Sequence, residues 1–306
     1  DGFRCTGSNG QFMDLSILKS AGHGFHLLPD SGITDGGSFS NCTIWASGDS
    51  DFDGISNNPE KDGFFFDLYP WMLSGVMLNG VTIDGAGRHG IHIRNASNAS
   101  IFGGIVTGIS VAGGDAIRIV RSNNALTVAS ITGMIIQGNY GRGMFTNARC
   151  VLTATGNSFL LSGPRSTSVH LDNPANDEGY SIYSLTGNFF TRNGDGQCVV
   201  VEASGKEIEQ RTGVHGEGVL SVVGNATNQE IAEWISIAPS YTGGYSIRAN
   251  IRTGDRDAIN AQGPELKSIG IVSVEAGVVG DPSMLDRFLV VNIAGLGYRK
   301  IPVYYL

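Results

Sequence analysis

Asp62, His89, His92, Asp115 and Arg118 stand out because their types suit proton transfer and their spacing repeats. Asp62 to His89 is 27 residues, and His89 to Asp115 and His92 to Arg118 are 26 each. Two carboxylates brought together can act as general acid and general base, and an imidazole can orient or carry a proton. Asp62 and Asp115 are the candidate acid and base, with His89 and His92 as catalytic partners. Arg94 and Arg118 can offset negative charge. Asp67, His170 and Asp172 can hold hydroxyl groups, and Phe65 and Phe145 offer flat apolar rings. Together these form the candidate substrate-binding set.

A second candidate lies just upstream. Asp49-Ser50-Asp51-Phe52-Asp53-Gly54, followed by Glu60, matches an oxygen-ligand pattern of alternating carboxylates around a Gly turn. Calcium takes six to eight hard oxygens, so Asp49, Asp51, Asp53 and Glu60 are the candidate Ca²⁺ ligands. The flanks are not those of an EF-hand: Ile44-Trp45 is strand-like and Pro59 sits just inside the end. An acidic surface loop is the plain alternative.

Residues this far apart can share a site only if the chain returns at a regular interval. Short apolar triplets behind a small residue do recur, beginning at Phe3, Phe25, Phe64, Ile91, Ile117, Met144, Val169 and Val199. A second series runs in step with them: Leu78-Asn79-Gly80, Phe102-Gly103-Gly104, Ile131-Thr132-Gly133, Ala154-Thr155-Gly156 and Leu185-Thr186-Gly187. Two markers advancing together indicate an internal repeat. Some 25 residues hold two or three short strands and tight turns, and a unit this small must stack on its neighbour to bury its apolar face. The expected fold is all-β: a right-handed parallel β-helix of about eight coils over residues 1–205, with an insertion at 46–62. After Gly205 the register is lost, and residues 206–306 read as a smaller C-terminal β-region, sandwich-like or for oligomerisation; the alternative is that the solenoid continues there as irregular coils.

In a strand alternate side chains point to opposite faces. If each triplet's first and third residues point inward, the middle ones form an outward column: Arg4, His26, Phe65, His92, Arg118, Phe145, His170 and Val200. Flanking columns carry Asp62, His89 and Asp115 on one side and Asp67, Arg94 and Asp172 on the other. Five of the six histidines fall in these columns. Coils about 4.8 Å apart put Asp62 and Asp115 about 9.6 Å apart, at the upper edge for an inverting carboxylate pair. The plain alternative is a solvated face whose charges neutralise one another.

Composition removes other classes. Of 306 residues 45 are Gly and 16% are charged, too few charges for a coiled coil, while scattered aromatic and β-branched residues exclude disorder. The net charge of −8 argues against nucleic acid, and no apolar run is long enough to span a membrane. Cys5, Cys42, Cys150 and Cys198 lack metal-ligand spacing and read as free thiols. The opening Asp1-Gly2-Phe3 is already in mid-pattern, as in a piece of something longer.

With its coils, Asn/Gly turns and acidic, His-containing strand face, residues 1–205 resemble the pectate-lyase-like right-handed parallel β-helix superfamily. Within it the chain looks most like bacteriophage tailspikes. That resemblance implies a homotrimeric depolymerase of bacterial surface polysaccharide, located in the virion tail or extracellular, with glycoside hydrolysis as the leading chemistry. A polysaccharide lyase and a non-catalytic glycan-binding fibre are the alternatives. The polygalacturonase motif order is missing: Gly22-His23-Gly24 comes first and Asp115 is followed by Ala116.

Overall fold

The apolar triplets form the strands that their alternation predicts. The computed structural model describes residues 1–6, 10–28, 37–67, 73–109, 114–121, 126–138, 141–161, 166–172, 181–191, 198–202, 218–228, 235–238, 241 and 243–252, and the backbone of 270–276, 287–293 and 297–303. All regular structure among them is β-strand. No helix of the described residues is long and apolar enough to cross a membrane.

The first of two compact units, Asp1–Ile259, is a parallel β-solenoid. Nine strands form one sheet, beginning with Phe3–Thr6, Phe25–Leu28, Phe64–Asp67 and Ile91–Arg94. It continues through Asp115–Val120, Arg142–Thr146, Thr167–Asp172, Val199–Glu202 and Ile235–Ile237. The pairing register aligns Phe3, Phe25, Phe64, Ile91, Ile117, Met144, Val169 and Val199, the positions at which the triplets begin. The rest of each coil joins a sixteen-stranded sheet, in which Leu73–Ala86 and Ala96–Ile109 are the longest strands.

The core lies between the sheets. Phe64 and Phe66 are fully buried while Phe65 between them is partly exposed, and the rings of Phe25, Phe39, Phe64 and Phe66 pack on one another. Burying each such side chain contributes about 1.5–3 kcal/mol. The second glycine series marks one bend of the coil, except that Gly103, not the expected Gly104, stands in register with Gly80. Gly80, Gly103, Gly133, Gly156, Gly187 and Gly224 all have φ between 60° and 68°, a left-handed conformation that glycine adopts without a Cβ clash. Just beyond the bend, Asn157, Asn188, Asn225 and Asn250 form a buried ladder; each of the first three backbone N–H groups donates to the next side-chain oxygen at 2.8–3.0 Å.

The expected break at 205 is not where the solenoid stops. Val199 pairs in parallel with Ile235, Ser181–Thr186 with Gly218–Val223, and Val219–Val223 with Gly244–Arg248. The first compact unit extends to Ile259. The sequence between strands lengthens here while the pairing is kept, which is why spacing alone lost the register. The second unit, Asn260–Leu306, contains an antiparallel sheet of Gly270–Ala276, Arg287–Ile293 and Gly297–Val303. Cys5, Cys42, Cys150 and Cys198 are thiols and form no disulfide with one another.

Candidate functional site

The predicted columns meet on the nine-stranded sheet, and their charges are layered. Register sets His26, Phe65, His92, Arg118, Phe145 and His170 side by side on successive strands. Beneath them, the side chains of Asp62 and Asp115 are 0% exposed. The carboxylate of Asp62 is gripped by Arg88, whose Nε and Nη2 donate to Oδ1 and Oδ2 at 2.8 and 2.7 Å. Oδ1 also accepts the His89 backbone N–H at 3.1 Å. Burial alone would raise the pKa of this carboxyl, but hydrogen bonds from Arg88 and His92 outweigh it and hold the group well below the usual carboxylate range.

Asp115 repeats the arrangement one coil beyond His89. Arg142 donates to it through Nε and Nη2 at 2.5 and 3.2 Å, and Arg118 through Nη1 at 2.8 Å. The histidines of the same column serve the backbone: His23 Nδ1 accepts the Asp62 N–H and His89 Nδ1 accepts the Asp115 N–H, each at 2.9 Å. An accepting Nδ1 requires a neutral imidazole. Burial keeps both neutral, taking the pKa of His23 down to about 4 and that of His89 to about 2.

His92 differs. Its Nδ1 lies 3.1 Å from Asp62 Oδ2, and a carboxylate can only accept, so Nδ1 carries the proton and the lone pair is on Nε2. Burial lowers the pKa of this imidazole, against the pull of Asp62, and its Nε2 is buried without a polar partner. His26 is held likewise, with Nδ1 3.1 Å from Asp1 Oδ2 and Nε2 unpartnered.

Several expectations change here. Phe65 and Phe145 do not offer free ring faces for stacking. Phe65 lies between His26 and His92, with ring centroids 4.9 and 4.8 Å away, and Phe145 is buried under the guanidiniums of Arg118 and Arg142. Outward position on a strand did not mean exposure, because long side chains of adjacent coils close over the rings. Asp62 is also unsuited to the role of general acid, since its partners keep it ionised. Neither it nor Asp115 turns a free surface to solvent.

The remaining candidates are placed as follows. Asp67 takes a two-point contact from Arg94 at 2.7 and 2.6 Å. His170 Nε2 lies 2.9 Å from Glu202 Oε1, and Asp172 is buried on the strand beside Glu202. Arg88 and Arg142, which grip the two central carboxylates, were not among the predicted site residues. Arg142 stands in register with Asp115, on the next strand of the same flanking column. Arg88 lies one residue outside it, and only its adjacency to His89 hinted at a role.

The acidic turn is built separately, between the strands Thr43–Ser47 and Phe64–Asp67. Ligand atoms of Asp49, Asp51 and Asp53 lie within 4.8 Å of one another, and Glu60 is not part of that group. Asp49 is buried and accepts the N–H groups of Asp53 and Gly54 at 3.1 and 2.8 Å. Three of the four expected ligands therefore converge.

No protein-family model, curated protein or solved structure matches this chain. The reading of the site rests on its own geometry.

Proposed function

We propose that the nine-stranded sheet engages an acidic polysaccharide and that the chain is a carbohydrate-active solenoid of the tailspike type. The observation that carries this reading is the layering of charge. Asp62 and Asp115 are 0% exposed, whereas the side chains of Arg88, Arg94, Arg118 and Arg142 are 34, 39, 16 and 20% exposed. A net-negative chain thus sets a row of partly exposed arginines above buried aspartates, and a carboxylate of a bound polymer can share guanidiniums whose inner edges Asp62, Asp67 and Asp115 already hold. Rungs about 4.8 Å apart let one polymer meet several of them in succession.

The same geometry favours β-elimination over glycoside hydrolysis. Hydrolysis needs a carboxylic acid within reach of the leaving oxygen, and Asp62 and Asp115 are both buried and gripped by guanidiniums. A lyase needs a neutral base beside cations. The tautomer of His92 leaves Nε2 with its lone pair, and Arg88 and Arg118 flank it. In this reading polymer binding uncovers His92 Nε2, which is buried in the free chain; His92 then removes the proton next to a uronate carboxyl, a carbon–carbon double bond forms, the glycosidic C–O bond breaks, and the leaving oxygen is protonated by water. Asp62 positions the base, and Arg94, Arg142 and His170 line the path. Bacterial surface polysaccharide, a homotrimer, an extracellular or virion-tail location and Ca²⁺ on Asp49, Asp51 and Asp53 complete the proposal.

The test is incubation with a panel of acidic and neutral bacterial capsular polysaccharides. Shortened chains with the ultraviolet absorbance of an unsaturated uronate, lost in His92→Ala, are expected. New reducing ends without that absorbance would return the chemistry to hydrolysis. Binding without shortening would leave a glycan-binding fibre, and no binding of acidic polymers would sink the proposal.

A further inference from the structure

A second surface, on the sixteen-stranded sheet, has features that the arginine strip does not explain. Register places Leu18, Trp45, Asp84, Thr107 and Gln137 in one column along successive coils. Trp45 is 36% exposed, and Asp84 and Gln137 are exposed. The residue after each member of this column occupies the left-handed region: Lys19 (φ 53°), Ala46 (52°), Gly85 (87°), Gly108 (70°) and Gly138 (65°). Three coils use glycine there, as the conformation favours. The two coils beside the indole instead carry side chains, which is a strained choice.

Lys19 makes use of that position. Its Nζ lies 5.3 Å from the centre of the Trp45 ring and donates to the Phe52 carbonyl at 2.8 Å. Gly54 sits against the indole edge; a Cβ there would lie 3.4 Å from Cη2. The acidic turn is thereby drawn to the edge of the tryptophan. The result is an indole with the Lys19 ammonium group over its ring and Asp84 on the next rung, with Thr107 and Gln137 on the two rungs after that.

We propose that Trp45, Lys19, Asp84 and Thr107 form a binding site for a neutral hexose polymer. A pyranose presents a face of C–H groups, which suits an exposed indole, and paired hydroxyls, which suit a carboxylate and an ammonium group on either side. Successive rungs about 4.8 Å apart carry hydrogen-bonding groups onward along the coil axis. Exposed Asp84, with Asp51 and Asp53 on the adjoining turn, disfavours a polyanion. Beyond Trp45 the column turns polar instead of widening the apolar surface, which separates this patch from a protein-docking face. The site stands whether or not the arginine strip binds an acidic glycan.

The test is native gel electrophoresis of the whole chain through dextran, laminarin or galactomannan. At least one polymer should retard it, and Trp45→Ala should weaken that retardation at least tenfold. Lys19→Gly is the sharper variant. It relieves left-handed strain and should raise the unfolding temperature, yet weaken binding about fivefold; a purely structural Lys19 would leave binding unchanged. Absence of retardation in all three gels overturns the proposal, as does full binding by both Trp45→Ala and Lys19→Gly. A Trp45-dependent retardation by hyaluronan alone would overturn the neutral class.

Discussion

Two polar ladders run through the solenoid, and they solve the same burial problem in opposite ways. On the sixteen-stranded sheet Asn157, Asn188, Asn225 and Asn250 pass neutral hydrogen bonds from coil to coil. Asn188 Nδ2 donates to the Ala154 carbonyl and to Asn225 Oδ1, while its own Oδ1 accepts from Asn157. On the nine-stranded sheet the ladder is His23, Asp62, His89 and Asp115, closed by Arg88, Arg118 and Arg142. The amide ladder has its groups paired along its length. The charged ladder includes titrating groups, and the adjoining His92 keeps an unpartnered Nε2. Neutral amides make a scaffold; ionisable groups make a surface that responds to its surroundings.

The largest effect should come from removing one charge of the second ladder. Asp62→Ala leaves Arg88 without its carboxylate and Asp62's other donors without an acceptor. Breaking a buried pair from one side costs about 3–5 kcal/mol, so denaturant unfolding should show a loss of that size. An Asp62→Ala chain as stable as the parent would mean that solvent reaches this ladder freely.

Asn188→Ala is the matching test of the neutral ladder. It deprives the Asn157 amide groups and the Ala154 carbonyl of their partner. Unsatisfied buried groups cost about 1–3 kcal/mol each, and partial relaxation should keep the total on the order of 3 kcal/mol. The comparison predicts a pure stability defect, with retention of acidic polysaccharide unchanged once the variant is folded. Lost retention in a folded Asn188→Ala chain would break the division between scaffold and surface.

Acid should separate the ladders more gently. His23 and His89 are neutral in the folded chain with pKa values lowered to about 4 and about 2, against 6.5 when unfolded. Their contribution is complete above pH 6.5 and declines as pH falls below it, because the unfolded state takes up protons that the folded state refuses. Asp62, also lowered, acts in the same direction below pH 3.8. A protonated His23 can no longer accept the Asp62 N–H. Amide exchange, corrected for its intrinsic pH dependence, should therefore show protection at Asp62 falling as pH drops through about 4, ahead of Asp115, whose acceptor His89 stays neutral down to about 2. Asn157, Asn188 and Asn225 should lose less. Equal losses would place the acid response outside the histidines.

Much of this arrangement was legible in the sequence, for a definite reason. Alternation and the glycine bends fix the register of a stacked coil, so Phe3 through Val199 fell on their strands and the histidines into shared columns. Burial of the site was not legible. A column tells which way Phe145 leaves the backbone, but not that Arg118 and Arg142 fold over it from adjoining coils. Arg88 escaped notice because it reaches Asp62 from a position outside the columns. The end of the solenoid was hidden by lengthening linkers, which leave the pairing of Val199 with Ile235 intact but break the even spacing.

The acidic turn gives the smallest and most specific test of how carboxylates are held. Asp49 is as buried as Asp62, but its oxygens are held by backbone N–H groups instead of a guanidinium. Asp51 and Asp53 converge on the same point. A cation placed there would relieve repulsion among the three, whereas Asp62 already has Arg88 and Asp67 has Arg94. Ligand present at 100 times its dissociation constant stabilises the folded state by about 2.7 kcal/mol. Calcium should accordingly raise the unfolding temperature by several degrees, Asp51→Asn should abolish most of the rise, and Asp67→Asn should leave it intact. A calcium response that survives Asp51→Asn would move the ion away from this turn, and the absence of any response would show that amide donors alone suffice to hold three converging acids.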